Sequence, residues 1–299
     1  MDDDTEQFPS ASRLCDCFKN CIIGLLKKCG LVNYDIKRLV LLKVILQIFL
    51  EAVSVVLAFL LSTFIYGMFD PVEREIVCDD FSIKYPIVGK KGRYDYLQMC
   101  FLFIMLPAVI ISIIDLIHYG SSGSFYGPQT CLTKMYNTEI IFLFGMFAAQ
   151  ALICIVQICS GRMRPDFLEV CKPDMGKHCT SANSSFFSFQ PVCLGRKEDV
   201  KLARLSFPSE HSVMSIQSMC FLCLYMEQKI TYRETILFKR LVQLLLMELA
   251  VWASFSEVRF YRNHKSDVYV GMTIGGIFGW LMDYFNRKTS PVTVYIDDL

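Results

Sequence analysis

Three short polar motifs in this chain of 299 residues hold the side-chain types that bind and transfer phosphate groups. Residues 161–165 read Gly-Arg-Met-Arg-Pro, residues 207–212 read Phe-Pro-Ser-Glu-His-Ser, and residues 261–267 read Tyr-Arg-Asn-His-Lys-Ser-Asp. Arginine presents a planar fork to phosphate oxygens, serine donates a hydrogen bond, and histidine serves as a general acid or as a nucleophile. The motifs therefore predict a phosphate-handling site, provided that the fold brings them together.

Each motif adjoins a long apolar segment. Hydrophobic residues make up 54% of the chain and charged residues only 20%, and the hydrophobic ones lie in long runs. This pattern excludes a soluble globular domain, a disordered chain and a coiled coil. We predict an all-α polytopic membrane protein, a six-transmembrane-helix bundle. The fourth and fifth spans are the weakest, since a span usually needs about 20 apolar residues. The six predicted spans are about 39–67, 97–117, 140–158, 212–226, 236–255 and 268–285.

The even number of spans places both termini on one side of the membrane. Basic residues in the segment 1–38 favour a cytoplasmic N-terminus, so we expect a cytosolic tail at 1–38, a membrane domain at 39–285 and a second cytosolic tail at 286–299. The three motifs then share the outer face with the loop 159–211. That loop contains an N-glycosylation sequon at Asn183, which supports the same orientation.

The positions of the 14 cysteines argue against a disulfide framework for the whole chain and against a structural zinc site. Cys171, Cys179 and Cys193 lie in the outer loop and can oxidise there, although their spacing does not determine which of them pair. No paired cysteines with histidine partners are present, so we expect no structural metal and no other cofactor. The net charge of +1 gives no reason to expect a nucleic-acid partner.

The last predicted span carries a ridge of small residues. Gly271, Gly275 and Gly279 recur every four residues and therefore lie on one helix face. Such a ridge lets two helices approach closely. We favour packing against another helix of the same chain over a dimer interface.

The three motifs resemble those of the lipid phosphate phosphatases, also called type 2 phosphatidic acid phosphatases, over about residues 39–285. Residues 78–86 are similar to the family's first outer loop, residues 161–173 to the segment after its third span, and residues 258–268 to its last motif. The resemblance implies metal-independent hydrolysis of lipid phosphate monoesters at the outer leaflet. It also implies a histidine nucleophile in the last motif, an acid histidine in the middle motif, an orienting aspartate, and a phosphate site of one lysine and two arginines.

Part of this constellation is retained. By the resemblance, Arg164 and Ser209 are phosphate-binding residues, His211 is the acid, and Asp267 is the residue that orients the nucleophile.

Four positions depart from the family pattern. Asn263 replaces the nucleophilic histidine, and an amide cannot form the covalent phosphoenzyme. Gln157 replaces the lysine, Glu210 a glycine and Glu257 an arginine, which makes the site four charge units more negative. A phosphate dianion is disfavoured in such a site. The pattern is closest to the catalytically degraded phospholipid phosphatase-related subgroup.

Neighbouring residues do not restore the lost groups by their register. His264 lies three residues before Asp267, whereas the family nucleophile lies four before it, so we do not expect it to attack phosphorus. Nor does the motif register aim Arg162 or Arg262 at the phosphate. We expect instead that Glu210 or Glu257 occupies the phosphate site and pairs with the retained arginine of the first motif.

Three functions remain open, and with them the question of whether the protein is an enzyme. The expected one is a non-catalytic plasma-membrane protein of lipid-phosphate signalling. It would bind membrane phospholipids or lysophospholipid phosphates and form homo- or hetero-oligomers with family members. The alternative is an active phosphatidate or lysophosphatidate phosphatase with altered chemistry. The third, a transporter or scramblase, rests only on the span count and on acidic residues within the spans.

Overall fold

The structure is a computed structural model and describes residues 32–88, 99, 101–121, 128–174, 188–230 and 236–288. The chain divides into two units, one of Met1–Leu50 with Val292–Leu299 and one of Glu51–Pro291. The described part of the first unit is helical from Val32 onwards. Most of the predicted N-terminal tail, most of the C-terminal tail, Cys179 and Asn183 lie outside the described residues.

Six long helices within the described residues overlap the six predicted spans one for one. They are α1 (Val32–Met68), α2 (a π-helical turn at Phe101–Met105 that continues as an α-helix over Leu106–Ser121), α3 (Pro128–Ser160), α6 (Glu210–Lys229), α7 (Ile236–Arg259) and α8 (Lys265–Lys288). Two short helices, α4 (Phe167–Cys171) and α5 (Lys197–Ala203), lie between α3 and α6. The weak fourth segment becomes a helix of 20 residues because polar residues at both of its ends continue the helical turn.

Three stretches of the described chain are long and apolar enough to cross a membrane. They are Ile45–Met68 in α1, Phe101–His118 in α2 and Lys134–Ser160 in α3. Helix α6 is less apolar because it lies in the middle of the bundle, where Ser212, Ser215 and Gln217 are buried among neighbouring helices. A helix buried on most sides needs no apolar face toward lipid. That α6, α7 and α8 also cross remains a prediction.

The glycine ridge of α8 packs directly against the backbone of α6. A Cβ atom at Gly275 would lie 2.5 Å from the carbonyl oxygen of Val213, and one at Gly271 would lie 2.7 Å from that of Ser209. A Cβ atom at Gly276, beside the ridge, would meet nothing within 4 Å. The prediction that the ridge packs within the chain is confirmed. The contact holds the beginning of α8, with the last motif, against the beginning of α6, with the middle motif.

Outside the helical bundle, the loops form a small cap beside the motifs. Strands β1 (Ile76–Val77) and β2 (Ser188–Phe189) pair antiparallel, with Ile76 opposite Phe189. A disulfide joins Cys171 at the end of α4 to Cys193, so one pairing that the sequence left open is Cys171–Cys193. Cys78 is disulfide-bonded as well. The buried core of the cap consists of Ile76, Cys78, Ile83, Met163, Phe167, Val170, Cys171, Phe189 and Ala203.

Candidate functional site

The three predicted motifs come together at one end of the bundle. The amide of Ser209 in the middle motif donates to the carbonyl of Asp267 in the last motif at 3.1 Å. The amide of Ser206 donates to the carbonyl of Arg162 in the first motif at 3.0 Å. Ser206 also accepts a hydrogen bond from the side-chain amide of Asn263. The segment before α6 therefore lies between the first and last motifs and bonds to both.

Asp267 is the most enclosed charged side chain of the site. It is fully buried and lies in the first turn of α8. Its carboxylate accepts hydrogen bonds from Nη1 of Arg162, from Oγ of Ser206 at 2.6 Å and from the backbone amide of His264 at 3.2 Å. Arginine is a strong partner for a buried carboxylate because it supplies a charge and a directed donor together. The predicted orienting residue is thus held by an arginine and a serine.

The side chains of the two candidate nucleophile residues, Asn263 and His264, contact backbone carbonyl oxygens rather than the Asp267 carboxylate. Asn263 is 3% exposed, and its Nδ2 donates to the carbonyl oxygen of Ser206. The Nε2 atom of His264 lies 3.0 Å from the carbonyl oxygen of Met163, and only the backbone of His264 bonds to Asp267. Neither side chain has the orienting carboxylate as its partner.

Glu257 lies between a histidine and an arginine. Its Oε1 atom is 3.8 Å from Nε2 of His211 and 3.6 Å from Nη1 of Arg262, and the residue is 3% exposed. Glu257 is in the last turn of α7, and the following loop folds back so that the amide of Arg262 donates to the Glu257 carbonyl at 2.9 Å. The carboxylate that replaces a phosphate-binding arginine is therefore next to the predicted acid, His211.

The predicted pairing of a new glutamate with Arg164 is wrong. Glu257 pairs with Arg262 and His211, and Glu210 accepts a hydrogen bond from Nε2 of Gln150 at 2.7 Å. The physical reason is that each glutamate has another partner within 4 Å, whereas neither forms an ion pair with Arg164. The guanidinium of Arg164 makes no hydrogen bond or ion pair within the described part of the chain, and its Nε atom is buried.

The remaining predicted phosphate-site residues have structural partners. Gln157 is 5% exposed, and its Nε2 atom donates to the carbonyl of Pro208 at 2.9 Å, which ties α3 to the middle motif. Ser209 is fully buried and caps the N-terminus of α6, where its Oγ accepts from Oγ of Ser212 at 2.9 Å. The predicted glycosylation residue, Asn183, lies outside the described residues.

Four residues of the site went unrecognised in the sequence or were assigned no role there: Gln150, Arg162, Ser206 and Arg262. The spacing of Glu257 and Arg262 gives no signal for their pairing, because the pair depends on how the loop after α7 folds back. The contact of Arg162 with Asp267 joins residues 105 positions apart, and no periodic pattern reports such a pair.

Arg204 lies near the first motif but belongs to the cap. The amide of Arg164 donates to the carbonyl of Ala203 at 2.8 Å, which brings the neighbouring Arg204 close. The Arg204 guanidinium carbon lies 5.1 Å from the centre of the Phe167 ring. Burial lowers the pKa of Arg204 from its ordinary value, and the nearby Glu73 carboxylate raises it. The side chain contributes to cap packing and remains charged, as arginine does in proteins.

The described residues contain no group of three or more His, Cys, Asp or Glu side chains arranged to hold a metal ion. Of the three arginines that surround the site, Arg162 is paired with Asp267 and Arg262 with Glu257, whereas Arg164 is unpaired within the described chain. Arg164 is thus a cationic residue of the site whose charge is not neutralised by a carboxylate of the described chain.

Comparison with known proteins finds relatives among the phospholipid phosphatases. The chain is 31% identical to phospholipid phosphatase 1 of Rattus norvegicus over 252 residues, which cover 81% of this chain and 86% of the relative. It is 29% identical to phospholipid phosphatase 2 of Homo sapiens over 232 residues, or 73% of this chain and 76% of the relative. No solved structure matches the chain.

Residues 138–290 match the PAP2 superfamily, and this range contains all three motifs of the site. The resemblance read from those motifs is therefore confirmed at the level of the superfamily. The chain belongs to the PAP2 superfamily.

Proposed function

We propose that this integral membrane protein binds phospholipids or lysophospholipid phosphates without hydrolysing them, and that it acts in lipid-phosphate signalling as a pseudophosphatase. The observation that carries the proposal is the environment of the Asn263 side chain. Asn263 occupies the family's nucleophile position, and its side-chain amide is bonded to the carbonyl of Ser206. An amide nitrogen has no available lone pair with which to attack phosphorus, so the first covalent step has no nucleophile.

The partners of Asp267 support the same conclusion. In a working site this carboxylate would orient an imidazole, but here it accepts from Arg162 and Ser206. A carboxylate whose lone pairs are used by an arginine and a hydroxyl has little capacity left to polarise a nucleophile. His264 is bonded to Met163 through its ring and does not take that place.

Glu257 gives a second physical reason. A buried carboxylate between His211 and Arg262 supplies the negative charge that a phosphate group would otherwise bring. A phosphate dianion that enters this position meets a like charge, which opposes binding there because the carboxylate is buried. The lost lysine at Gln157 adds to this effect.

We further propose a six-span topology at the plasma membrane, with both termini cytoplasmic and the site facing outside. The correspondence of the six long helices with the six predicted segments supports the span count. The Cys171–Cys193 disulfide beside the site supports an outward orientation, because disulfides persist mainly in oxidising compartments. Oligomers with other members of the family are part of the proposal and would place the protein beside active phosphatases.

Phosphate release from phosphatidate and lysophosphatidate tests the proposal. The purified full chain in detergent is compared with the variant that combines Gln157→Lys, Glu210→Gly, Glu257→Arg and Asn263→His. We expect no turnover by the natural chain and measurable turnover by the fourfold variant. Saturable turnover by the natural chain would overturn the non-catalytic function.

A second candidate function is hydrolysis of lipid phosphate monoesters by altered chemistry. It is favoured by relatives named phospholipid phosphatases and by the retained Arg164, Ser209, His211 and Asp267. This function predicts that the change His211→Ala abolishes phosphate release. Release that survives the change would come from a contaminant, and release that is lost would establish an enzyme with an attacking group other than the family histidine.

A further inference from the structure

A group of polar side chains lies beside the site, where α1 approaches α3 and α5. We call it the lateral cluster and define it as Tyr66, Gln150, Arg164, Lys201 and Glu210. Nε2 of Gln150 donates to Oε1 of Glu210 at 2.7 Å, and Nζ of Lys201 lies 5.2 Å from the centre of the Tyr66 ring. Arg164 and Glu210 are both near enough to Tyr66 to act on its phenol electrostatically. The cluster therefore joins the first and middle motifs to the end of α1.

Two buried polar atoms of the lateral cluster have no partner in the described part of the chain. Nε of Arg164 is a donor that lacks an acceptor, and Oε1 of Gln150 is an acceptor that lacks a donor. Leaving either atom buried and unpaired costs free energy that a ligand can recover. The chain thus leaves one donor of Arg164 and one acceptor of Gln150 unused in the cluster.

The charged residues of the lateral cluster also leave one positive and one negative group for a ligand. Lys201 has a counterion, because its Nζ atom lies 3.0 Å from Oδ1 of Asp70. Arg164 and Glu210 do not form an ion pair with each other, so one positive and one negative charge remain for a ligand. A phosphate monoester dianion would gain at Arg164 but be repelled by Glu210. A group that carries both an anion and an ammonium would gain at both residues.

We propose that the lateral cluster binds a zwitterionic phosphodiester headgroup of the phosphoethanolamine type. The phosphodiester anion meets Arg164, and the ammonium donates to Gln150 and Glu210. This assignment rests on the proposed non-hydrolytic function of the same site, and it names the class of ligand. Tyr66 is 37% exposed at the end of the apolar stretch Ile45–Met68, so the cluster opens on the side of α1.

The test measures binding to the purified full chain in detergent by the shift in its melting temperature at increasing ligand concentration. The ligands are dihexanoylphosphatidylethanolamine, dihexanoylphosphatidate and free phosphoethanolamine. We expect the phosphatidylethanolamine to bind at least about fivefold more tightly than phosphatidate, the factor expected of one partly buried charge pair. We expect Glu210→Gln to remove or reverse that preference. The matched control is Glu248→Gln, an exposed carboxylate on α7, which should leave it unchanged.

Either of two results overturns the proposal: phosphatidate binding at least as tightly as phosphatidylethanolamine to the natural chain, or a preference that persists in Glu210→Gln. The first comparison needs no variant and stands even if the variant fails to fold. Competition by free phosphoethanolamine at the concentration of the lipid supports a soluble ligand of the same chemistry, and its failure to compete supports a lipid. Phosphate release from phosphatidate in the same samples would overturn the proposed function but would leave the preference measurable.

Discussion

Arg162 donates from Nη1 to Oδ1 of Asp267, and this ion pair joins the first motif to the last across 105 positions of the chain. Asp267 is fully buried at the beginning of α8, whereas Arg162 is 36% exposed on the side chain. The carboxylate that would serve an attacking imidazole in an enzyme is therefore used to hold two motifs together. The pair contributes to the stability of the site.

Removal of Arg162 should expose this stabilising role. In Arg162→Ala the Asp267 carboxylate stays buried and loses its charged partner. We expect the free energy of unfolding in detergent to fall by about 1–3 kcal/mol. This loss is smaller than that expected for a fully buried pair, because the arginine is partly exposed to solvent. The control is Arg196→Ala, which removes an exposed partner of Asp199 and should cost less than about 0.5 kcal/mol. Equal losses in the two variants would show that the Arg162 pair has no special role.

The glycine ridge predicts that alanine substitutions at two adjacent residues of α8 change the free energy of unfolding by very different amounts. Gly275→Ala places a methyl group 2.5 Å from the carbonyl oxygen of Val213 on α6, which forces the helices apart. We expect a loss of about 1–3 kcal/mol in the free energy of unfolding. Gly276→Ala meets nothing within 4 Å and should be neutral or slightly stabilising, because alanine favours the helix. A stable Gly275→Ala variant would contradict the close packing of α8 on α6.

The partners of Glu257 can be separated by double-mutant cycles. Glu257→Gln and Arg262→Gln should be coupled by about 1 kcal/mol, because the two charges lie 3.6 Å apart. Glu257→Gln and Arg164→Gln should show coupling near zero, since these residues form no ion pair. The measured quantity is the free energy of unfolding of the single and double variants. Coupling to Arg164 that exceeds coupling to Arg262 would reverse the assignment.

The disulfide predicts a difference in thiol labelling. Cys171→Ser leaves Cys193 as a partly exposed thiol, which should react with a maleimide in the native protein. Cys193→Ser leaves Cys171, which is fully buried and should react only after denaturation. Labelling of intact cells with a membrane-impermeant maleimide also tests the outward orientation. The exposed Cys159 reacts in every variant, so the measured quantity is the additional label that Cys193 gives in the first variant. Labelling only after the cells are lysed would place the cap on the cytosolic side.

The sequence predicted the positions of the long helices and the convergence of the three motifs, and it failed on the partners of individual charges. Apolar periodicity and the glycine spacing report which face of a helix is buried, so the packing of Gly275 on α6 could be foreseen. The pairing of Glu257 with Arg262 depends instead on a loop that folds back at Tyr261, whose φ angle of 56° lies in the left-handed region. Such a turn by a residue with a side chain has no repeating signature in the sequence.

The packing of α8 on α6 positions the motifs of the site without using the side chains that would react with phosphate. The closest contacts between the two helices join glycines to main-chain carbonyl oxygens, and these contacts use none of the side chains that would handle phosphate. Replacement of a nucleophile or a phosphate ligand therefore leaves the helix register intact. A scaffold held in this way tolerates changes in the side chains of the site, because the closest contacts between its helices do not depend on them.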